Sequence, residues 1–203
     1  MSAGAACQYQ RMPHVEKGMA VGLFGGSFNP PHKGHVLVAN TALVRLKLDQ
    51  LWWMVTPGNP LKDVHKLAPL EERIALSRAL ADSPRIYVTA FEEKIQTRYS
   101  ADTIAYVLQH NPGVHFVWVM GADNLAMFHR WQQWRRIVNT IPVAVIDRPG
   151  SGHADVSSPM ARTFARFRVA ENMASSLALK RAPAWTFIHG RRSSMSSTAL
   201  RAL

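Results

Sequence analysis

The sequence contains one cysteine, Cys7, among 203 residues. A single cysteine excludes an intramolecular disulfide framework and any zinc site built from cysteines. Its apolar runs are short: a typical one, 114–120, is far below the roughly 20 residues that span a bilayer. Neither a Walker sequence nor a G-x-G-x-x-G segment occurs, which argues against a P-loop NTPase and a dinucleotide-binding fingerprint.

Acidic residues are also few, 13 against 24 Lys and Arg, and the formal net charge is +11. This excess favours anionic partners such as nucleotides, nucleic acid or an anionic membrane. Residues 156–203 hold eight Lys or Arg and one acid, Glu171. Because apolar residues alternate with these cations, we interpret the segment as an amphipathic helix with a solvated basic face rather than a nucleic-acid tail.

The first seventeen residues mix small, polar and charged side chains and contain no apolar h-region, so a secretory signal is not expected. We expect residues 1–17 to form a flexible extension and residues 18–203 to form one domain. With its single cysteine, the chain is predicted to be a cytoplasmic protein.

Six short apolar runs recur about every thirty residues, as expected for strands buried on both faces of a parallel sheet. Segments of helical period lie between them, with apolar stripes that include Leu70, Ile74, Leu76 and Leu80. Ser100 is a candidate N-cap for a third helix. Together these patterns predict an α/β, Rossmann-like, doubly wound open parallel sheet of five to six strands with helices on both faces. The predicted strands are 19–24, 51–55, 86–89, 114–120, 142–146 and 185–188.

Ligands of such sheets bind at the carboxyl ends of the strands, and the first strand is followed by a glycine pair and two histidines, His32 and His35. Adjacent glycines let backbone N–H groups approach phosphate, and the helix that begins near Gly34 adds its N-terminal dipole. The three-residue spacing places both imidazoles on one side of that helix start. The residue types therefore predict phosphate handling rather than a metal site, because no acidic residue completes a ligand set.

Two further loops carry polar groups at strand ends. Gly121 and Asp123 follow the fourth strand, where Asp123 is predicted either to bind a ribose hydroxyl or to cap a helix. After the sixth strand comes a serine-rich cluster with Ser197, Thr198 and Arg201. Hydroxyls at a helix start with an arginine one turn later form an anion clamp.

Gly25-Gly26-Ser27-Phe28-Asn29-Pro30 with His32-x-Gly34-His35, and the late Ser197-Thr198-x-x-Arg201, resemble the nucleotidylyltransferase superfamily. The closest likeness is to its bacterial nicotinate-nucleotide adenylyltransferases. Subgroup features are Tyr99-Ser100-Ala101-x-Thr103, Gly121-Ala122-Asp123-Asn124-Leu125 with Trp131 downstream, and Arg148-Pro149-Gly150.

The resemblance implies transfer of AMP from ATP to nicotinate mononucleotide, giving deamido-NAD and pyrophosphate without a covalent enzyme intermediate. His32 and His35 would bind the phosphates and act as the catalytic residues, and Mg²⁺ would arrive on the triphosphate, with no dedicated protein metal cage. The ATP-binding residues that it implies are Gly25, Gly26, Ser27, Phe28, His32, His35, Gly121, Asp123, Ser197, Thr198 and Arg201.

For the acceptor, the resemblance implies a pyridine stacked on a tryptophan and a carboxylate met by backbone amides. The residues implied are Asn29, Lys62, Ser100, Ala101, Trp131 and Gln132. Trp134 competes with Trp131 for the stacking position, since one of the two indoles could serve the core instead. Family members often carry Pro-Pro-His-Lys after the second strand, whereas this chain has Pro57-Gly58-Asn59-Pro60-Leu61-Lys62, so Lys62 keeps the basic group and the histidine is absent.

Alternative substrates are nicotinamide mononucleotide and phosphopantetheine, although phosphopantetheine enzymes begin the signature with Thr at the position of His32. A class I aminoacyl-tRNA synthetase would need a tRNA-reading domain for which this chain has no room. A basic nucleic-acid-binding module rests only on the net charge. We therefore expect small-molecule substrates without a membrane or nucleic-acid partner, and a homo-oligomer is compatible with the sequence.

Overall fold

The computed structural model describes residues 9–58, 67–97, 99–147 and 157–189. Within these ranges six parallel strands form one sheet in the order β3-β2-β1-β4-β5-β6, the order found in dinucleotide-binding folds. All six predicted strands are confirmed, and so is the fold class. The strands are β1 (Ala20–Gly26), β2 (Gln50–Val55), β3 (Ile86–Thr89), β4 (His115–Gly121), β5 (Val143–Ile146) and β6 (Trp185–Ile188).

Helices cover both faces of the sheet. The α-helices are α1 (Lys33–Arg45), α2 (Leu70–Leu80), α3 (Phe91–Ile95), α4 (Ser100–His110), α5 (Ala122–Leu125), α6 (Trp134–Thr140) and α7 (Pro159–Thr163). Within the described ranges, 3₁₀-helices also lie at Phe128–Arg130, Ala165–Phe167 and Glu171–Leu179. None of the helices in the described ranges is long and apolar enough to cross a membrane.

Two hydrophobic clusters, one on each face, bury the sheet. In β2, Trp52 and Met54 belong to the cluster beneath α4, α6 and α7, whereas Trp53 and Val55 belong to the cluster beneath α1 and α2. This alternation follows from the two-residue period of a strand, and because both faces are covered, the strands are apolar almost throughout.

The direction of strand order changes between β1 and β4, which pair directly. Phe24 pairs with Val119, so Gly26 and Gly121, each two residues further on, end their strands at the same level. Such a switch point forms a crevice at the carboxyl edge of the sheet. The loops after β1 and β4 therefore flank one crevice.

Three helix predictions need correction. The N-cap of α4 is Tyr99, not Ser100, which is the first helical residue. On α2 the buried residues are Arg73, Ile74 and Ser77, whereas Leu76 is exposed. The basic segment is not one amphipathic helix, because residues 157–180 form α7 and two 3₁₀-helices instead.

Part of the expected N-terminal extension lies against the domain. The carbonyl oxygen of Tyr9 accepts hydrogen bonds from the N–H of Ala90, at 2.8 Å, and from the hydroxyl of Thr89, at 2.9 Å. Gln50 donates through Nε2 to the carbonyl of His14 at 3.0 Å. Residues 9–14 are therefore held at the β3 side of the sheet rather than loose, residues 1–8 lie outside the described part, and the boundary at residue 18 stays a prediction.

Candidate active site

His32 and His35 begin helix α1 and are both buried, at 3% and 9% exposure. His32 is the N-cap and His35 the third helical residue, so the pair forms a capping box made of histidines. The N–H of Gly34 donates to Nδ1 of His32, and the N–H of His32 donates to Nδ1 of His35, each at 3.1 Å. The ring centroids lie 3.8 Å apart, which confirms the predicted placement on one side of the helix start.

These two bonds fix the tautomer of each ring. A nitrogen that accepts a hydrogen bond carries no proton, so a neutral imidazole bonded in this way carries its proton on Nε2. Each histidine therefore has Nε2–H as its donor. A pair of such donors suits the oxygens of a phosphate.

The side chain of Phe28, in the loop after β1, packs against His35. Phe28 lies edge-on to His35 at 4.9 Å and 78°, and also packs against Trp53 at 4.8 Å. The backbone of Phe28 has φ of 45°, in the left-handed region that costs a non-glycine residue about 1–3 kcal/mol. Such a conformation persists where surrounding contacts determine it, and the ring packing of Phe28 is one of them.

Packing against aromatic rings gives a second reason for the two glycines before this loop. A Cβ on Gly25 would lie 2.9 Å from Cη2 of Trp118, and a Cβ on Gly26 would lie 3.1 Å from Cζ of Phe28. The strand end therefore tolerates no side chain at Gly25 without movement of a buried indole. These contacts account for both glycines independently of any ligand.

At the end of β4, Gly121 is buried and serves as the N-cap of α5, and Asp123 is an exposed residue of its first turn. Of the two roles predicted for Asp123, capping of this helix is therefore wrong. Gly121 and Asp123 lie across the crevice from the loop that carries Ser27 and Phe28.

Two of the residues predicted for the acceptor, Ala101 and Trp131, share the other face of the sheet. Ala101 and Trp118 belong to the cluster against which Trp131 packs. The indole of Trp131 is partly buried and stands edge-on to Trp118, with centroids 6.2 Å apart and planes at 84°. Since Trp118 also reaches the backbone of Gly25, one indole connects Trp131 to the end of β1. Trp134 is buried in the core.

Ser100 and Ala101 supply the first amides of α4, and amides at this position have no acceptor within the helix. Gln132 is exposed directly after Trp131. Lys62, Ser197, Thr198 and Arg201, together with the segment Arg148-Pro149-Gly150, lie outside the described residues.

Sequence reasoning missed Arg73, which is hydrogen-bonded to backbone carbonyls at the edge of the crevice. Its guanidinium is 1% exposed and donates to four backbone carbonyls. Burial lowers the pKa of this group. The available signal was its spacing, because Arg73 lies three residues after Leu70 and one before Ile74, on the buried stripe of α2.

Glu92, on α3, is a second buried charged residue that the sequence did not single out. The hydroxyl of Thr103 donates to its Oε1 at 2.6 Å, whereas Oε2 has no hydrogen-bond partner in the described part of the chain. Burial raises the pKa of Glu92 to about 7, although the bond from Thr103 acts in the opposite direction. Nothing in the sequence distinguishes it from its exposed neighbour Glu93.

The site offers hydrogen-bond donors rather than a set of ligands for a divalent cation. No three His, Cys, Asp or Glu side chains of residues 9–58, 67–97, 99–147 and 157–189 come close enough to hold a metal ion. Both Nδ1 atoms of the histidine pair are already engaged by backbone N–H groups.

Comparison with known proteins assigns this chain to a family. The sequence model of the cytidylyltransferase-like family matches residues 23–203. The chain belongs to the cytidylyltransferase-like family. One relative, a "probable nicotinate-nucleotide adenylyltransferase" of Rhizobium johnstonii, is 63% identical over 94% of this chain and 96% of its own length. A protein of the same description from Rhizobium meliloti is 67% identical over 90% of this chain and 97% of its own.

Solved structures show the same cytidylyltransferase-like fold at much lower identity. Nicotinic acid mononucleotide adenylyltransferase of Plasmodium falciparum, complexed with NaAD, matches with a TM-score of 0.67 and 17% identity, covering 91% of this chain and 83% of that one. The same enzyme complexed with APC matches with a TM-score of 0.65 and 16% identity over the same shares of both chains. The fold therefore persists where the sequence has changed at most positions.

Proposed function

We propose that this enzyme transfers AMP from ATP to nicotinate mononucleotide, giving deamido-NAD and pyrophosphate. An oxygen of the mononucleotide phosphate attacks the α-phosphorus of ATP in line, and the bond from that phosphorus to the bridging oxygen of the β-phosphate breaks. The electron pair leaves with pyrophosphate. Such a transfer asks the protein for alignment and charge stabilisation rather than covalent chemistry. The observation that carries the proposal is the buried pair of Nε2–H donors at the switch point, together with relatives at 63–67% identity.

His32 and His35 would be the catalytic residues. Their Nε2–H groups would donate to the oxygens of the transferring phosphoryl group, where charge develops in the transition state. Gly25, Gly26, Ser27 and Phe28 would border the triphosphate from β1, and Gly121 and Asp123 the adenosine and ribose from β4. Ser197, Thr198 and Arg201 would hold the β- and γ-phosphates.

Nicotinate mononucleotide would bind on the opposite face of the same edge. Trp131 would stack on the pyridine, and the amides at the start of α4, of Ser100 and Ala101, would donate to its carboxylate together with Gln132. Asn29 and Lys62 would complete this subsite on the side of its phosphate. N–H donors suit a carboxylate, whereas a carboxamide would turn its own NH₂ toward some of them.

Mg²⁺ would enter with the triphosphate and neutralise part of its charge. The phosphate oxygens rather than a protein cage would hold it, since Mg²⁺ is commonly bound through substrate phosphates. With one cysteine and ATP as co-substrate, we place the reaction in the cytoplasm.

Pyrophosphate release with three acceptors tests the proposed reaction. With ATP and Mg²⁺, we expect kcat/KM for nicotinate mononucleotide to exceed that for nicotinamide mononucleotide about 10²-fold or more, because the NH₂ of the amide cannot accept from the N–H donors at the start of α4. Phosphopantetheine should give no turnover. Preference for the amide would contradict the acid-specific site, and turnover of phosphopantetheine would contradict the acceptor. Absence of turnover with salt-sensitive binding to duplex DNA or RNA would favour the nucleic-acid module.

Replacing Trp131 with alanine tests the stacking role. We expect KM for nicotinate mononucleotide to rise about tenfold or more, because stacking of a base on an aromatic ring contributes about 1–3 kcal/mol. KM for ATP should change little. Met127→Ala, at an exposed residue of the preceding turn, serves as the control. An equal rise in both KM values would argue against stacking on the acceptor.

A further inference from the structure

Arg73 connects three segments of the chain at the edge of the crevice. Its Nη1 donates to the carbonyl of Ser27 at 2.7 Å and to that of Thr56 at 2.8 Å, and its Nη2 donates to that of Pro57 at 3.2 Å. Its Nε donates to the carbonyl of Ala68 at 2.9 Å. One guanidinium therefore ties the loop after β1 to the end of β2 and to the start of α2.

The bond to Ser27 bears directly on the histidine pair. The carbonyl of Ser27 belongs to the peptide that precedes Phe28, the residue with left-handed backbone whose ring packs edge-on against His35. By holding this carbonyl, Arg73 fixes the plane of the peptide from which the left-handed turn starts. Asn29 adds a second tie between the same segments, because its Oδ1 accepts from the N–H of Ala68 at 3.0 Å.

The four acceptors explain why an arginine stands on a buried stripe. A guanidinium presents five donors in a planar fork, whereas a lysine ammonium is a compact group with three donors on a flexible stem. Carbonyls from three separate segments match the fork. A residue that served only to fill space would need no donors, and burying a charge without partners is unfavourable.

We propose that Arg73 is a positioning residue of the phosphate-binding loop: through Ser27 and Phe28 it sets the position of His35 toward the triphosphate. The proposal rests on the proposed placement of ATP at the β1 loop. It predicts that Arg73 acts on the chemical step and on ATP rather than on the pyridine end of nicotinate mononucleotide, because Ala101 and Trp131 lie on the other face of the sheet.

The test compares Arg73→Lys with Ile74→Ala, which removes a neighbouring buried side chain of the same helix without removing a bond to the loop. In Arg73→Lys, kcat should fall about 10²-fold, because small displacements of an aligning group have effects of this size. KM for nicotinate mononucleotide should stay within about threefold. Ile74→Ala should lower the melting temperature but keep kcat within about threefold at 20 °C. Retention of kcat in Arg73→Lys, or an equal loss in Ile74→Ala, would overturn the proposal.

A measurement on the unaltered enzyme covers the case in which Arg73→Lys does not fold. The Nε–H resonance of Arg73 in a ¹⁵N spectrum should shift when ATP alone is added and stay in place when nicotinate mononucleotide alone is added. If ATP binds by calorimetry and this resonance does not shift, Arg73 does not position the phosphate loop. If ATP does not bind at all, the proposed function itself fails, and the two failures are thus distinguished.

Discussion

Replacing His35 with glutamine should lower kcat about 10²- to 10³-fold while the protein stays folded. Glutamine at the third position of a helix can still accept the N–H of the N-cap residue, as in an ordinary capping box. The substitution therefore keeps the bond from His32 that starts α1 and exchanges the imidazole Nε2–H for an amide NH₂ in a different position. Steady-state kinetics with nicotinate mononucleotide and ATP measure the loss, and circular dichroism monitors the fold.

Two further variants complete this experiment. His35→Ala also loses the cap, so we expect a similar fall in kcat with an additional loss of about 1 kcal/mol in stability. His110→Gln, at the exposed end of α4, removes an imidazole far along the helix and should leave kcat unchanged. Near-normal activity of both His35→Gln and His35→Ala, the second of which has no side-chain donor, would refute a catalytic role for His35.

Replacing Glu92 with glutamine should stabilise the protein by up to about 3 kcal/mol above pH 7, with no gain below pH 4.5. The unfolded chain releases this proton near pH 4.5, whereas burial keeps it on the folded chain up to about pH 7. Between these values the folded state binds more protons, so stability of the unaltered protein falls as pH rises. Glutamine carries no charge to bury and can still accept the hydroxyl of Thr103.

Thermal unfolding of both proteins at pH 5 and pH 8 measures this difference. A gain of about 3 kcal/mol corresponds to a rise of roughly 6–12 °C in melting temperature for a chain of this size. Glu93→Gln, at the exposed neighbouring residue, is the control and should show no such dependence on pH. A gain of equal size at both pH values would mean that the carboxyl of Glu92 is not buried with a raised pKa.

The strands could be predicted because a strand that is buried on both faces has a nearly continuous run of apolar residues. Runs such as Leu51 to Val55 are apolar throughout, as burial on both faces requires. The histidine pair could be predicted as well, since its three-residue spacing places both rings at the start of one helix. The burial of Trp134 could not be predicted, because the sequence does not distinguish Trp134 from Trp131 three residues earlier.

Arg73 and Glu92 show what the sequence could not supply. The partners of Arg73 are backbone carbonyls as far as 46 residues away. Because every residue has a backbone carbonyl, the sequence does not show which of them bind the guanidinium. Whether Glu92 or Glu93 faces the core depends on the direction in which a five-residue helix leaves β3. On α2 the apolar residues do not mark the buried face, because tertiary contacts bury Arg73 and Ser77 while Leu76 faces solvent. The roles of Ser197, Thr198, Arg201 and Lys62 stay predictions.

The capping box at the start of α1 makes the same two imidazoles responsible for the helix start and for the proposed phosphate contacts. Each Nδ1 of His32 and His35 holds a backbone N–H, and a proton added there would abolish the acceptor. Acidification that charges either ring would then remove one capping bond of α1 and change the arrangement of donors in a single event. Loss of activity and local fraying of this helix would have one common origin.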